Sequence, residues 1–145
     1  LRHPSRLCPR DELHCGIAFN TFDEVLAFWL FIELIEECEL RDIFQSGLPG
    51  FAKHVYCIRL LVKKHLPKLH EHFEEHCVRP EMYASDWIFS VFTSVLPETD
   101  TCTTAAFFTL FFKHKWEFFY KLVLTILSHI EADLLKEDDM ASILL

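Results

Sequence analysis

The sequence predicts an all-α fold, an irregular orthogonal array of about six or seven helices, on three observations. Apolar residues recur at three- and four-residue spacing over long stretches. The composition combines 51% hydrophobic residues and 15 phenylalanines with only 3 glycines, which favours long packed elements over turn-rich β structure. Strand-type alternation does not persist beyond about five residues. The length of 145 residues suits one domain with a substantial core.

The first helix is predicted to begin after an irregular leader. Residues 1–20 hold two prolines and a glycine without a sustained period, so we treat them as a leader or remnant and assign residues 21–145 to the helical domain. Thr21-Phe22-Asp23-Glu24 has the spacing of a capping box, which starts a helix that runs to about residue 38. The apolar side chains predicted to face the core from this helix are Val25, Phe28, Trp29, Ile32 and Ile35.

Proline and glycine divide the middle of the chain. Residues 46–50 hold two glycines and a proline and are predicted to form a loop. A helix over residues 51–65 follows. Pro67 then restarts it as a shorter helix over residues 68–77, because proline lacks the amide that the preceding turn requires.

The last part of the chain is predicted to form three aromatic-rich helices. The first covers residues 81–95 and ends before Pro97. Thr99 or Asp100 caps the second, over residues 103–113, and the third covers residues 116–135. The phenylalanines of these two segments recur at helical spacing, which favours a packed core over a lipid or cofactor pocket.

Charge, cysteine and glycine content exclude several classes of protein. The formal net charge is −8 without a clustered basic surface, so we expect no nucleic-acid partner. The six cysteines form no C-x-x-C pair, and several lie in apolar helical stretches, so we expect reduced thiols in a cytoplasmic protein. No run of about 18 apolar residues predicts a transmembrane segment. No glycine loop suited to phosphate is present, and we expect no cofactor.

Four sequence blocks, in this order, carry a resemblance to a known family. They are Ala27-Phe28-Trp29, LLVKKHLPKL at 60–69, PEMYASDWI at 80–88 and VLP at 95–97. These blocks resemble the A-F-W helix, the L-x-x-x-x-P-x-L helix, the Y-A-x-x-W helix and the L-P turn of TBC domains, the Rab GTPase-activating family. Residues 116–124 are similar to a late helix of that family. The resemblance spans residues 21–135 and implies the C-terminal half of such a domain, a piece of a longer protein.

The resemblance implies an all-α domain that binds a Rab-type small GTPase. The complete domain would supply an arginine and a glutamine to the GTP site of its partner. The arginine stabilises charge on the transferred phosphoryl group and the glutamine orients the attacking water, and such an arginine finger changes the rate by about 10³- to 10⁵-fold. The resemblance also implies a regulator of membrane traffic that meets membranes peripherally, through the GTPase.

Neither finger can be assigned to this chain. The family's arginine is expected in I-x-x-D-x-x-R and its glutamine in Y-x-Q-G, both upstream of Ala27-Phe28-Trp29. The only glutamine, Gln45, lies downstream of that block, and no arginine closes the first motif. The family's W-D pair is replaced by Phe108-Thr109. We therefore predict no catalytic residue and no GTPase activation by this chain alone. The alternative is a non-catalytic pseudo-GAP or helical scaffold that binds a small GTPase or another protein.

A second motif points to different chemistry. His72-Phe73-Glu74-Glu75-His76 matches H-x-x-E-H, the inverted pattern of zinc proteases, and two histidines four residues apart on a helix can share a metal ion. The match is short, no distant third ligand is marked, and the chain has 9 histidines. We interpret this segment as a solvated helix face and predict no metal site, with metal binding without catalysis as the open alternative.

Overall fold

The computed structural model describes residues 24–96 and 100–144, and these ranges contain seven α-helices, one 3₁₀ helix and no β-strand. The all-α prediction is confirmed. In chain order the elements are α1 (Glu24–Glu36), α2 (Leu40–Phe44), α3 (Pro49–His65), α4 (Pro67–Glu75), α5 (Pro80–Ser90), the 3₁₀ helix (Thr93–Val95), α6 (Thr101–Leu134) and α7 (Met140–Leu144). The central helix is α3, which contacts α2, α4, α5 and α6.

Helices α1 and α2 form the first corner of the fold. α1 begins at Glu24, the last residue of the predicted capping box, but Thr21 lies outside the described residues and the cap stays a prediction. Glu39 turns the chain between the two helices in a left-handed conformation, with φ 57°. The sequence analysis missed α2, because its 5 residues are too few to display a helical period.

The start of α3 corrects the predicted loop at residues 46–50. Pro49 and Gly50 already belong to α3, and proline suits this position because its missing amide would have no acceptor within the helix. Gly50 is buried against α2: a Cβ atom there would lie 2.6 Å from the carbonyl carbon of Asp42. Glycine is therefore required by the close approach of two helices.

Prolines also open α4 and α5. Pro67 restarts the helix as predicted, and Pro80 begins α5. The prediction that this helix reaches residue 95 is wrong, because Val91 and Phe92 adopt left-handed backbone conformations with φ 48° and 61°. Both side chains are buried at 1% exposure, so the turn places two large apolar groups in the core. Burial there outweighs the steric cost of the backbone.

The two helices predicted for the C-terminal part are the two arms of α6. Asp100 caps the first arm, since its carboxylate accepts a hydrogen bond from the amide of Thr103 at 3.0 Å. Thr99, the alternative cap, lies outside the described residues. The arms meet at Lys115, whose φ of 50° and ψ of −136° interrupt the helix. No helix in the described ranges combines the length and the apolar character that crossing a bilayer requires.

The core combines aliphatic side chains with phenylalanines, but Val25, Phe28 and Trp29 of α1 do not contribute to it as predicted. Val25, Phe28 and Trp29 are 65%, 52% and 63% exposed, so their predicted core-facing role is wrong. The buried side chains of this region are Leu34, within α1, and Cys38, just after it. Among the α1 side chains whose burial the structure describes, the buried one lies near the end of the helix, which packs on α2.

Candidate functional site

Among the sequence blocks that carry the resemblance, the third forms packing contacts in the core. In the third block, Ala84 is fully buried, and the ring of Tyr83 contacts those of Phe73 and Trp87 at centroid distances of 5.3 and 6.0 Å. Burial raises the pKa of the Tyr83 phenol, and the nearby charge of Glu81 raises it further. A phenol that stays neutral in the core is not poised for acid–base chemistry. This block builds the fold.

Lys115 and Trp116, where the two arms of α6 meet, link this helix to the end of α1. Trp116 Nε1 donates a hydrogen bond to the carbonyl oxygen of Cys38 at 2.7 Å. Lys115 Nζ donates to the carbonyl oxygen of Glu37 at 2.8 Å. These carbonyls follow the last turn of α1, where no further helical amide can reach them. Burial raises the pKa of the Cys38 thiol to about 11, so this cysteine is a protonated packing residue.

A buried histidine is the titratable group that sequence reasoning missed. His54 is 1% exposed, stacks on Trp116 with ring centroids 3.6 Å apart, and places Nδ1 2.7 Å from the hydroxyl oxygen of Tyr120. Burial and, to a smaller extent, the charge of Lys53 lower the pKa of His54 to about 4, with Glu39 partly offsetting both. The signal that would have found it is the four-residue spacing of buried positions on α3, which are Gly50, His54, Ile58 and Val62.

Gln45, the only glutamine, lies on the surface between α2 and α3. Its Nε2 donates a hydrogen bond to Oδ1 of Asp42 at 3.0 Å, across three residues. Arg41 precedes it by four residues, and its guanidinium hydrogen-bonds to the carboxylate of Glu36. The Gln45 side chain is thus bonded within its own turn. That Gln45 is not the family's glutamine finger stays a prediction.

A groove of about 530 Å³ runs between α3, α4 and the start of α5. Its wall includes Tyr56, Phe73 and Cys77, and an ion pair of 2.9 Å between Arg59 and Glu74 lies along it. None of its described lining residues is a histidine that could act as base toward Cys77. The groove therefore has apolar and charged surface for contact with another molecule but lacks a paired nucleophile and base.

The histidines of the H-x-x-E-H motif occupy the end of α4 and the residue after it. Glu71, Glu74 and Glu75 are exposed, as expected for a solvated helix face, whereas His72 and His76 are partly buried. Their ring centroids lie 4.6 Å apart, and Glu75 brings a carboxylate to the same place. Helical geometry explains the cluster, because residues three and four apart share one face.

Comparison with known proteins places these features in a family. The family model described as the Rab-GTPase-TBC domain matches residues 13–135. Its match begins inside the predicted leader, while the division between residues 1–20 and 21–145 stays a prediction. The matched range includes the four sequence blocks, the buried His54 and the histidine cluster of α4.

Curated relatives carry names from the same family. The human ecotropic viral integration site 5 protein homolog is 24% identical over 131 residues, which cover 90% of this chain and 16% of that protein. The Caenorhabditis elegans Rab GTPase-activating protein tbc-11 is 27% identical over 79% of this chain and 12% of its own length. The Drosophila melanogaster TBC1 domain family member whacked is 32% identical over 49% of this chain and 19% of its own length. The chain thus spans less than a fifth of each relative.

Proposed function

Because this chain belongs to the Rab-GTPase-TBC domain family, we propose that it is part of a Rab GTPase-activating protein and that its partner is a Rab-type small GTPase. The observation that carries the proposal is the family match over residues 13–135. The names of relatives such as tbc-11 support it. By the same likeness, we place the protein in the cytoplasm and in the control of vesicle traffic, with peripheral membrane association through the GTPase.

We further propose that this chain alone binds the GTPase without accelerating hydrolysis. Activation requires a guanidinium that stabilises charge on the transferred phosphoryl group and an amide that orients the attacking water. An arginine finger is worth about 10³- to 10⁵-fold in rate, or about 4 to 7 kcal/mol of barrier. The lack of the I-x-x-D-x-x-R and Y-x-Q-G motifs supports inactivity. The local bonding of Gln45 and Arg41 supports it too, because using either as a finger would first break a contact.

Two assays on the same samples test the two parts separately. A panel of Rab GTPases, locked in the GTP state, is titrated with the 145-residue chain to measure binding. Single-turnover GTP hydrolysis is then followed with and without the chain, with tbc-11 as the positive control for activation. We expect binding to at least one GTPase and no stimulation. Absence of binding across the panel would refute the partner, and stimulation would refute the inactivity.

If hydrolysis is stimulated, two variants identify the source. Arg41→Ala and Gln45→Ala remove the arginine and glutamine that lie within one turn of each other at the end of α2. Arg59→Ala is the matched control, since Arg59 also forms an exposed ion pair but lies on α3. Loss of stimulation in the first two variants and not in the third would assign the fingers to α2.

A non-catalytic pseudo-GAP or helical scaffold is the second candidate. It is favoured by Phe108-Thr109 in place of the W-D pair: Phe108 is buried at 4% exposure and keeps the packing role, but Thr109 supplies no carboxylate. Reading the gene upstream of residue 1 separates the candidates. The motifs I-x-x-D-x-x-R and Y-x-Q in that region select the activator, and a full-length chain without them selects the scaffold.

A further inference from the structure

Three potential metal ligands converge at the end of α4. His72, Glu75 and His76 each offer one ligand atom, and these atoms all lie within 4.8 Å of one another. The two imidazole rings meet edge to face, with centroids 4.6 Å apart and planes at 60°. Because the spacing is three and four residues, all three side chains leave the same side of the last helical turn.

A second observation concerns the bonding of His72. Its Nε2 is buried and has no hydrogen-bond partner within the described part of the chain. Buried polar atoms are normally partnered, because removing them from water without a new partner costs free energy. Coordination of a cation by this Nε2 would offset that cost. A histidine whose nitrogen has lost water and found no protein partner is therefore prepared for a ligand of this kind.

The charges around the cluster favour a cation. Glu71 is exposed on the same short helix, where Glu74 is already paired with Arg59, and the chain carries a formal net charge of −8. Asp139 is close enough to interact electrostatically with His76, but its carboxylate already accepts from the amides of Ala141 and Ser142 at 2.8 and 3.0 Å. Asp139 thus contributes negative charge near the cluster, while its oxygens cap α7.

We propose that His72, Glu75 and His76 bind a divalent transition-metal ion of the Zn²⁺ class. Two imidazole nitrogens with one carboxylate oxygen are donors that zinc accepts, whereas Ca²⁺ and Mg²⁺ take oxygen donors. Tetrahedral coordination with bonds of about 2.1 Å separates ligand atoms by about 3.4 Å. The ligand atoms now lie within 4.8 Å of one another, so binding requires torsional changes of the exposed Glu75 and the partly buried His76 to bring them to this distance.

The bound ion would hold the end of α4 rather than catalyse hydrolysis. The chain leaves α4 through Cys77, which has a left-handed φ of 57°. An ion that bridges residues 72, 75 and 76 would therefore link the last turn of α4 to His76, the residue before Cys77. Glu75 acts as a ligand and is not free to serve as the base of a metalloprotease. This proposal does not depend on the proposed GTPase partner, and the two are tested by different experiments.

Zinc binding to tag-free, reduced chain tests the proposal. Isothermal titration with ZnCl₂, in competition with a chelator of known affinity, measures stoichiometry and affinity. We expect one ion per chain at this site, weakened at least about 100-fold by His72→Gln or His76→Gln and about tenfold by Glu75→Gln. Circular dichroism confirms that each variant is folded. The Glu75→Gln variant keeps the test decisive if a histidine variant unfolds.

Two controls exclude other donors. Cys77→Ser removes the neighbouring thiol, and His70→Gln removes a histidine of the same helix outside the cluster; both should bind zinc as the unmodified chain does. Co²⁺ in place of zinc should show ligand-field bands without thiolate-to-metal charge transfer. Zinc binding that survives His72→Gln and His76→Gln in folded protein, or no binding at micromolar Zn²⁺, would overturn the proposal.

Discussion

Acidification from pH 7 to pH 5 should destabilise this fold mainly through His54. The fold holds it neutral, because its ring is 1% exposed, lies 3.6 Å from that of Trp116 and bonds to Tyr120. Burial lowers the pKa of His54 from 6.5 to about 4. The unfolded chain therefore takes up a proton at a higher pH than the folded chain. The resulting stabilisation is fully present above pH 6.5 and is lost as the pH falls from 6.5 toward 4.

The magnitude follows from the two pKa values. Each pKa unit corresponds to about 1.36 kcal/mol, so the loss is about 2 kcal/mol at pH 5 and approaches about 3 kcal/mol below pH 4. That is a large share of the roughly 5 to 15 kcal/mol by which domains are stable. His54→Gln removes the titrating group but leaves an amide in its place. The native chain should lose stability on acidification that the His54→Gln variant does not lose. The difference between their free energies of unfolding should therefore narrow by about 2 kcal/mol between pH 7 and pH 5.

Urea denaturation followed by tryptophan fluorescence, at pH 7, 6 and 5, measures this difference. His129→Gln is the matched control, because His129 is exposed near the end of α6 and its replacement should leave the pH profile unchanged. An NMR titration of the His54 ring gives the folded pKa even if the variant does not fold. Parallel profiles for the native chain and His54→Gln, or a ring titration near pH 6.5, would refute the reasoning.

Three further predictions concern stability, each measured by denaturation. Gly50→Ala should cost about 1 to 3 kcal/mol or more, because its new Cβ would lie 2.6 Å from the backbone of α2. Gly47→Ala meets nothing within 4 Å and should cost only the strain of its left-handed φ of 84°, about 1 kcal/mol. Trp29→Ser should change the free energy of unfolding by no more than about 0.5 kcal/mol, since Trp29 is 63% exposed. Phe119→Ala should cost about 3 to 5 kcal/mol, because Phe119 is fully buried. A large loss for Trp29→Ser would mean that this face of α1 is covered in solution. Asp100→Ala should lower the melting temperature and Asp100→Asn should not, because both native and asparagine side chains cap α6.

Local signals in the sequence located most of the helices. Pro67 restarts the helix where predicted, and Asp100 caps α6 as one of two predicted candidates. Proline and an N-cap act on backbone groups of their own turn, so their effect is visible without knowing the rest of the fold. The break at Lys115 falls between the two predicted C-terminal helices, over residues 103–113 and 116–135.

The sequence predicted only part of the cluster at the end of α4. The spacing of His72, Glu75 and His76 predicts that they share a helix face, and the structure brings their ligand atoms within 4.8 Å. The burial of His72 Nε2 could not be predicted, because it depends on what the neighbouring elements place over the ring. That burial turns an ordinary histidine pair into a candidate metal site.

By itself, the sequence determined the helical class, the positions of most helix starts and, through four motif blocks, the family. Only the tertiary structure decided that Trp29 is exposed while His54 is buried, and that α5 ends at Val91 and Phe92 so that both reach the core. The physical reason is that caps, prolines and spacing act between near neighbours in the chain. Exposure is set by which helices pack together, and that choice involves residues far apart in sequence.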